Sequence, residues 1–218
     1  MEFRLLYSGE LPSSGNQGRP AVKHGLRRSF HPQLRRLWQN NRQLKILLKY
    51  EGERWLRDHP VRPFEPGIQY SDKELFDAGT SAISENWLIE GYKFVPLITA
   101  KLALYCSLDI TFLRPEEPRF VFHSGDLDGR IKTMFDSLRM PIGREETGGT
   151  GPQDDETPFF CLLEDDRLIS EVRVISDELL LLPAQRQLGP HDVFAVIHVK
   201  IKPAFRDGVI WSVNEVFA

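Results

Sequence analysis

Residues 192–203 read DVFAVIHVKIKP. Val193, Ala195, Ile197, Val199 and Ile201 alternate with Phe194, Val196, His198, Lys200 and Lys202. Successive side chains of a strand point to opposite faces, so this period of two puts five apolar residues on one side. A helix would scatter the same residues around its circumference. The segment therefore requires a sheet with one buried face, and the remaining sequence must supply both partner strands and a covering layer.

Partner strands are legible earlier in the chain. FRLLYSGELP reads as a first strand ended by Pro12, and YKFVPLIT and LALYCSLDITFLRP as extended segments, the second holding a core strand around Leu108 to Leu113. RFVFHSG is a further extended piece, and FFCLLEDDRLISEVRVISDELLLLP supplies more strand. The cover comes from helical patterns. HPQLRRLWQNNRQLKILLKYEGERWLRD reads as one helix with Pro32 in its first turn. Its apolar face holds Leu34, Leu37, Trp38, Leu44, Leu47 and Leu48, with Arg35, Arg36 and Arg42 largely outside that face. Pro60, Pro63 and Pro66 end it, and a second helix begins where Ser71 and Glu74 make a capping box. DLDGRIKTMFDSL has helical spacing, with Leu127, Ile131, Met134, Phe135 and Leu138 on a broad face. SSGNQGRPAVKHGLRRS reads as a flexible basic loop. RMPIGREETGGTGPQDDETP reads as a Gly-rich loop, mobile or functional. Strand, helices, strands, a short helix and strands make an α+β chain, a mixed sheet flanked by helices, with no regular βαβ series.

A length of 218 residues suits one domain, and 41% hydrophobic with 27% charged residues is enough for a core. No secretory signal and no run of about 18 apolar residues is visible, so a cytoplasmic protein without a membrane span is expected. Cys106 and Cys161 match no metal spacing and are expected to be buried or incidental thiols in a reducing cytosol.

Charge is unevenly spread. Residues 11–50 hold no Asp or Glu but nine cations: Arg19, Lys23, Arg27, Arg28, Arg35, Arg36, Arg42, Lys45 and Lys49. With a net charge of −3, the rest of the chain sums to −12. Such asymmetry fits the footprint of a polyanion, with internal pairing to the acidic remainder as the alternative.

The acids are focused too. Asp126 and Asp128 stand one residue apart at a helix start, with Lys132 four positions on. One Asp would suffice as a cap, and Asp128, Lys132 and Asp136 also have the spacing of surface ion pairs. Glu164, Asp165 and Asp166 follow downstream at a strand end or turn. If Asp126 and Asp128 converge with Asp165 or Asp166, the result is an all-oxygen site for Mg²⁺ or Mn²⁺, the chemistry of phosphate-directed enzymes. Lys132 would then stabilise the transition state or orient water.

DLDGRIKTMFDSL followed by LEDDRLISEVRV resembles the RusA-like Holliday junction resolvases, as does FRLLYSGELPSSGN at the start. The specific match spans about 30 residues, with weaker likeness over the first 20 and last 50. The resemblance implies a homodimer of α/β type that cuts branched or junction DNA with Mg²⁺, with Mn²⁺ as a substitute, in recombination and repair. It implies Asp126, Asp128 and Asp166 as metal ligands, Lys132 as the essential lysine, and Asp165 as the less certain member of the Asp-Asp pair. It further implies one nuclease domain over 1–218 with insertions around 30–95, where a helical elaboration is expected, and 140–158. Gly129 replaces the family's usual Asn, and the gap from Asp128 to Asp166 is longer than usual.

Two other signatures compete with it. DLDG also resembles the Asp-x-Asp-Gly of haloacid dehalogenase-type phosphatases, but Arg130 follows it and only 90 residues remain after Asp128. An EF-hand would need glycine at loop position 6, whereas Gly129 falls at position 4. A third alternative is a RusA-like fold that binds DNA structure without cutting.

Overall fold

The computed structural model describes residues 1–13, 20–60, 69–115, 127–180 and 191–204. Within them the order is β1 (Glu2–Glu10), α1 (Pro20–Asn40), α2 (Arg42–Asp58), α3 (Asp72–Ser84), β2 (Leu88–Ile89), β3 (Tyr92–Ile98), β4 (Leu104–Arg114), α4 (Leu127–Leu138), β5 (Phe159–Leu163), β6 (Ile169–Glu178) and β7 (Asp192–Pro203). Short 3-10 turns cover Arg144–Thr147 and Asp166–Leu168. Helices, parallel strands and antiparallel strands together make this an α+β fold.

The alternation in β7 does what its period requires. Val193, Ala195, Ile197, Val199 and Ile201 are all buried, and the intervening residues are half-buried. β7 lies inside a four-stranded sheet of order β1-β7-β4-β6. It pairs antiparallel with β1 and β4, and β4 pairs parallel with β6. The register places Leu5, Ile197 and Ile110 side by side, and all three are buried. The opposite face carries ion pairs: Asp109 meets Lys200 at 3.3 Å, and His198 faces Glu2 at 3.1 Å.

A second sheet of order β2-β3-β5 is built around the parallel pair β3–β5. Every residue of β5 is buried, which explains its unbroken apolar run. Burial of Phe159 and Phe160 contributes about 1.5–3 kcal/mol each. Helices α1 and α4 pack on β5, and α3 packs on β3.

Three expectations are corrected. The segment expected as a loop is helical from Pro20, and Pro32 lies inside α1 rather than at its start. The sequence hid this half of the helix because its inward stripe mixes polar and apolar residues: His24, Arg27 and His31 are interspersed with Leu26 and Phe30 ahead of Leu34 and Trp38 on the buried face. The single helix expected to run on through residue 58 is two, because Asn41 caps α2 by accepting from the N–H groups of Gln43 and Leu44. The 140–158 loop is packed against α1 through the Arg144–Thr147 turn. RFVFHSG, at 119–125, lies outside the described residues.

The helix at Ser71 does begin with the expected capping box. Helices α2 and α3 then pack unusually closely. A Cβ on Gly52 would stand 2.6 Å from the Leu75 carbonyl oxygen, and one on Gly79 would collide with that of Leu48.

Candidate functional site

Helix α4 presents Asp128 in its first turn and Lys132 one turn later, and both are exposed. Neither makes an ion pair with the other. The expected pairing of Lys132 with Asp136 is also absent, because the Asp136 carboxylate meets Lys23 at 2.5 Å and Arg139 at 3.3 Å. Asp128 and Lys132 therefore face solvent with their charges uncommitted among the described residues. Asp126 lies outside those residues.

The 3-10 turn Asp166–Leu168 packs against α4. Of the strand end or turn expected at Asp165 and Asp166, the structure has the turn: Asp166 opens it and Asp165 caps it. The Asp165 carboxylate accepts from the backbone N–H of Arg167 at 2.9 Å and from its guanidinium at 2.9 and 3.1 Å. Those bonds, first of all the one from the Arg167 side chain, hold the Asp165 carboxyl below its ordinary range. Asp166 remains exposed. Burial opposes the charged form of Arg139, but Glu146 above all, then Asp136 and Asp166, raise its pKa. Among the described residues no three His, Cys, Asp or Glu side chains gather closely enough to hold a metal. The donors on α4 and the adjacent turn, Asp128 and Asp166, are carboxylate oxygens open to solvent, a donor type that suits a hard cation.

The basic segment divides in two. Its first part points inward, contrary to the expectation of a polyanion surface. Arg27 is fully buried. Its Nε donates to the Arg139 carbonyl at 3.0 Å, and its Nη1 to that of Glu146 at 2.8 Å. Its Nη2 donates to the Asp136 carbonyl at 2.6 Å and the Glu146 carboxylate at 3.1 Å. Burial pulls the Arg27 pKa down to about 10 despite the Glu146 charge. Arg139 grips Glu146 with two bonds of 2.9 Å. Arg28 binds Glu156 at 2.6 and 3.2 Å. Burial opposes the charged form of Arg28, but Glu156 outweighs it and raises the pKa. Lys23, Arg27 and Arg28 thus bind the acidic remainder of the chain rather than open surface. Sequence reading missed Asp136, Arg139, Glu146 and Glu156 as their partners. The available signal was that the Gly-rich stretch carries REE and DDE where residues 11–50 carry no acid.

Two histidines complete this internal wall. His31 Nδ1 accepts from the Phe160 N–H at 2.8 Å, so Nε2 carries the proton given to the Asp155 carbonyl at 3.0 Å. The Tyr92 hydroxyl lies 3.1 and 2.9 Å from the carbonyls of Thr150 and Gly151 and donates its one proton there. His24 Nε2, 3.1 Å away, is then the donor to Tyr92, and His24 Nδ1 is buried with no partner among the described residues. Both rings are held neutral. Burial, reinforced by Arg28 and Arg27, lowers the His24 pKa to about 4, and burial lowers that of His31.

The second part of the basic segment points outward. Arg35, Arg36 and Arg42 are exposed, and Arg19 lies outside the described residues. Arg35 and Arg42 line an open cavity of about 510 Å³ between α1, α2 and α3, together with Lys45, Lys49 and Lys73. Lys45 and Lys49 belong to the acid-free stretch, whereas Lys73 was not singled out from the sequence.

No protein-family model, curated protein or solved structure matches this chain. Cys106 and Cys161 are both buried free thiols, and burial pushes the Cys106 thiol up to about 12, so neither is a nucleophile at neutral pH. No described helix is long and apolar enough to cross a membrane.

Proposed function

We propose that this chain is a Mg²⁺-dependent, structure-selective endonuclease that hydrolyses phosphodiester bonds in branched DNA, acting as a RusA-like homodimer in recombination and repair. The observation that carries this reading is the pairing of elements at α4. Asp128 and Lys132 stand exposed one turn apart and uncommitted among the described residues, and the turn bearing exposed Asp166 packs against the same helix. A surface helix normally places such charges in i,i+4 pairs worth ~0.2–0.5 kcal/mol. Here Asp136, the partner in spacing, is spent elsewhere.

In this proposal Asp128, Asp166 and Asp126 hold the cation. When bound, the cation activates water and screens charge on the phosphoryl oxygens. The Lys132 ammonium, one turn along the same face, binds the scissile phosphate and offsets the charge developing on it. Asp165 orients the turn through its bonds to Arg167 and leaves Asp166 free. The homodimer follows from the resemblance and from the two symmetric cuts that a four-way junction requires.

The test is cleavage of labelled four-way junctions, forks and flaps with Mn²⁺ or Mg²⁺ by the wild-type protein and by Asp128→Asn. Metal-dependent cutting that Asp128→Asn abolishes supports the proposal. Shape-selective binding by the wild type without any cutting would replace it with a non-catalytic DNA-structure-binding module.

A further inference from the structure

We propose that the groove between α1, α2 and α3 grips an unpaired DNA strand beside the branch, so that forks and flaps with single-stranded arms are the preferred substrate class. This rests on the reading of the chain as a branched-DNA nuclease and specifies which branches it takes.

The groove is lopsided in charge. Arg35 comes from α1, and Arg42, Lys45 and Lys49 from α2. Helix α3 adds Lys73 but also Asp72 and Asp77. Between the two walls the lining is apolar, including Ile46 and Phe76. Arg42, Lys45 and Lys49 follow i, i+3, i+7 and form one stripe on α2. At 1.5 Å per residue the stripe spans about 10.5 Å, long enough to meet successive phosphates of one strand.

Shape and charge together select the occupant. A duplex presents phosphates along both edges of its grooves and keeps its bases stacked inside, so it would bring phosphates against Asp72 and Asp77 and leave the apolar floor unused. An acidic amphipathic helix carries anions on both flanks of its apolar face and meets the same obstacle on the α3 wall. An unpaired strand has phosphates on one side and bases on the other. Its phosphates fit the α2 stripe and its bases fit the floor, where apolar and aromatic side chains accept any base. The exocyclic amines of adenine, cytosine and guanine, and the ring N3–H of thymine, are donors suited to the carboxylates of α3.

The groove is placed to act with α4. Helix α1 packs on α4 through its first half, where Lys23 binds Asp136, and lines the groove through its second half at Arg35. Twelve residues of helix separate those two points, about 18 Å. A strand held in the groove is therefore within reach of a branch seated at α4.

The experiment is fluorescence anisotropy with the full chain in EDTA, so that cleavage plays no part. Probes are an oligo-dT, a fork with single-stranded arms, a blunt duplex of equal length and a fully paired four-way junction. The fork and oligo-dT should bind at least tenfold tighter than the blunt duplex, and the fork tighter than the four-way junction. Replacing Lys45 and Lys49 together with Ala should lower the salt slope for oligo-dT by about 1.4, at about 0.7 per phosphate. Ile46→Ser changes a side chain already half exposed. It should weaken oligo-dT binding threefold to tenfold and leave duplex binding and the melting midpoint unchanged. Equal affinity for duplex and single strand, or variants that bind oligo-dT like wild type, would overturn the inference. So would an acidic amphipathic peptide that binds the groove when oligo-dT does not. If wild type grips single strands yet never cuts with Mn²⁺, the nuclease reading fails and the groove stands. If it cuts four-way junctions while the groove variants bind normally, the groove fails alone.

Discussion

The side-chain amide of Gln33 pairs with both backbone polar groups of Leu6. Gln33 Oε1 accepts from the Leu6 N–H at 2.9 Å, and Nε2 donates to the Leu6 carbonyl at 2.7 Å. Leu6 sits in β1, an edge of the four-stranded sheet, so the amide stands in for a missing strand. Unpaired edges invite pairing with other chains. Gln33→Ala should cost about 0.5–1.5 kcal/mol in urea unfolding and increase light scattering at high protein concentration. Gln33→Glu should be worse than Ala at neutral pH, because a carboxylate would face the Leu6 carbonyl without a proton to donate. Equal stability of all three proteins would show that water serves this edge as well as the amide does.

Arg27 sits where removal cannot be absorbed. Three carbonyls and a carboxylate accept from it in a buried setting. Arg27→Ala strands those acceptors and should destabilise by about 3–5 kcal/mol. Arg27→Lys should recover little, since an ammonium lacks the guanidinium's fork of donors. Neither change should alter the salt dependence of DNA binding, provided the variants are assayed below their melting midpoints. A reduced slope would return Arg27 to the DNA surface.

How far the sequence revealed this molecule depends on which residues faced inward. β7 was legible because its buried residues, Val193, Ala195, Ile197, Val199 and Ile201, are all apolar and recur at every second position. The first half of α1 was not, because His24, Arg27 and His31 share its buried face with Leu26 and Phe30, and their partners lie between 68 and 129 residues away. A basic run looks the same whether it binds phosphate or Glu146. Only the long-range packing of 139–158 on α1 decides, and no local pattern encodes it. The candidate site on α4 was legible as a pattern of residue types, since spacing is local. That Asp136 would be taken by Lys23 and Arg139 was not.

The two buried histidines make stability depend on acid. His24 is held neutral in the fold, with its pKa lowered to about 4, whereas the unfolded chain protonates it near 6.5. Its contribution is complete above pH 6.5 and is lost as pH falls from there to about 4. A shift of this size corresponds to roughly 3 kcal/mol, and His31 acts in the same direction. Unfolding midpoints measured from pH 7 to pH 4 should fall steeply for wild type and more shallowly for His24→Gln. Parallel curves would mean that carboxylates alone set the acid limit.

The close approach of α2 and α3 makes opposite predictions for similar substitutions. Gly79→Ala adds a methyl against the Leu48 backbone, and Gly52→Ala one against that of Leu75. Backbone cannot swing aside as a side chain can, so the helices must separate. Each change should cost about 1–3 kcal/mol, although alanine favours helix by about 1 kcal/mol over glycine. Gly25, in α1, has nothing within 4 Å of its would-be Cβ. Gly25→Ala should therefore stabilise by about 0.5–1 kcal/mol. Melting midpoints that move the same way in all three would refute the close contact.

The last prediction separates the two adjacent aspartates. Asp165 is engaged by Arg167 on both carboxylate oxygens, and it caps the turn that opens at Asp166. Asp166 is exposed, on a turn packed against α4. If this turn supplies a ligand, Asp166 does so directly and Asp165 acts by holding the turn. Asp166→Asn should then remove nearly all cleavage at saturating Mg²⁺, an effect on the order of several kcal/mol of barrier, while leaving the melting midpoint unchanged. Asp165→Asn should keep substantial activity and lose up to about 1 kcal/mol of local stability with the cap. Arg167→Ala, which frees Asp165 without removing its charge, should behave like Asp165→Asn or more mildly. If Asp165→Asn is the inactive variant and Asp166→Asn the active one, the bond to Arg167 must break on metal binding. Arg167→Ala would then raise the apparent metal affinity instead of leaving it unchanged.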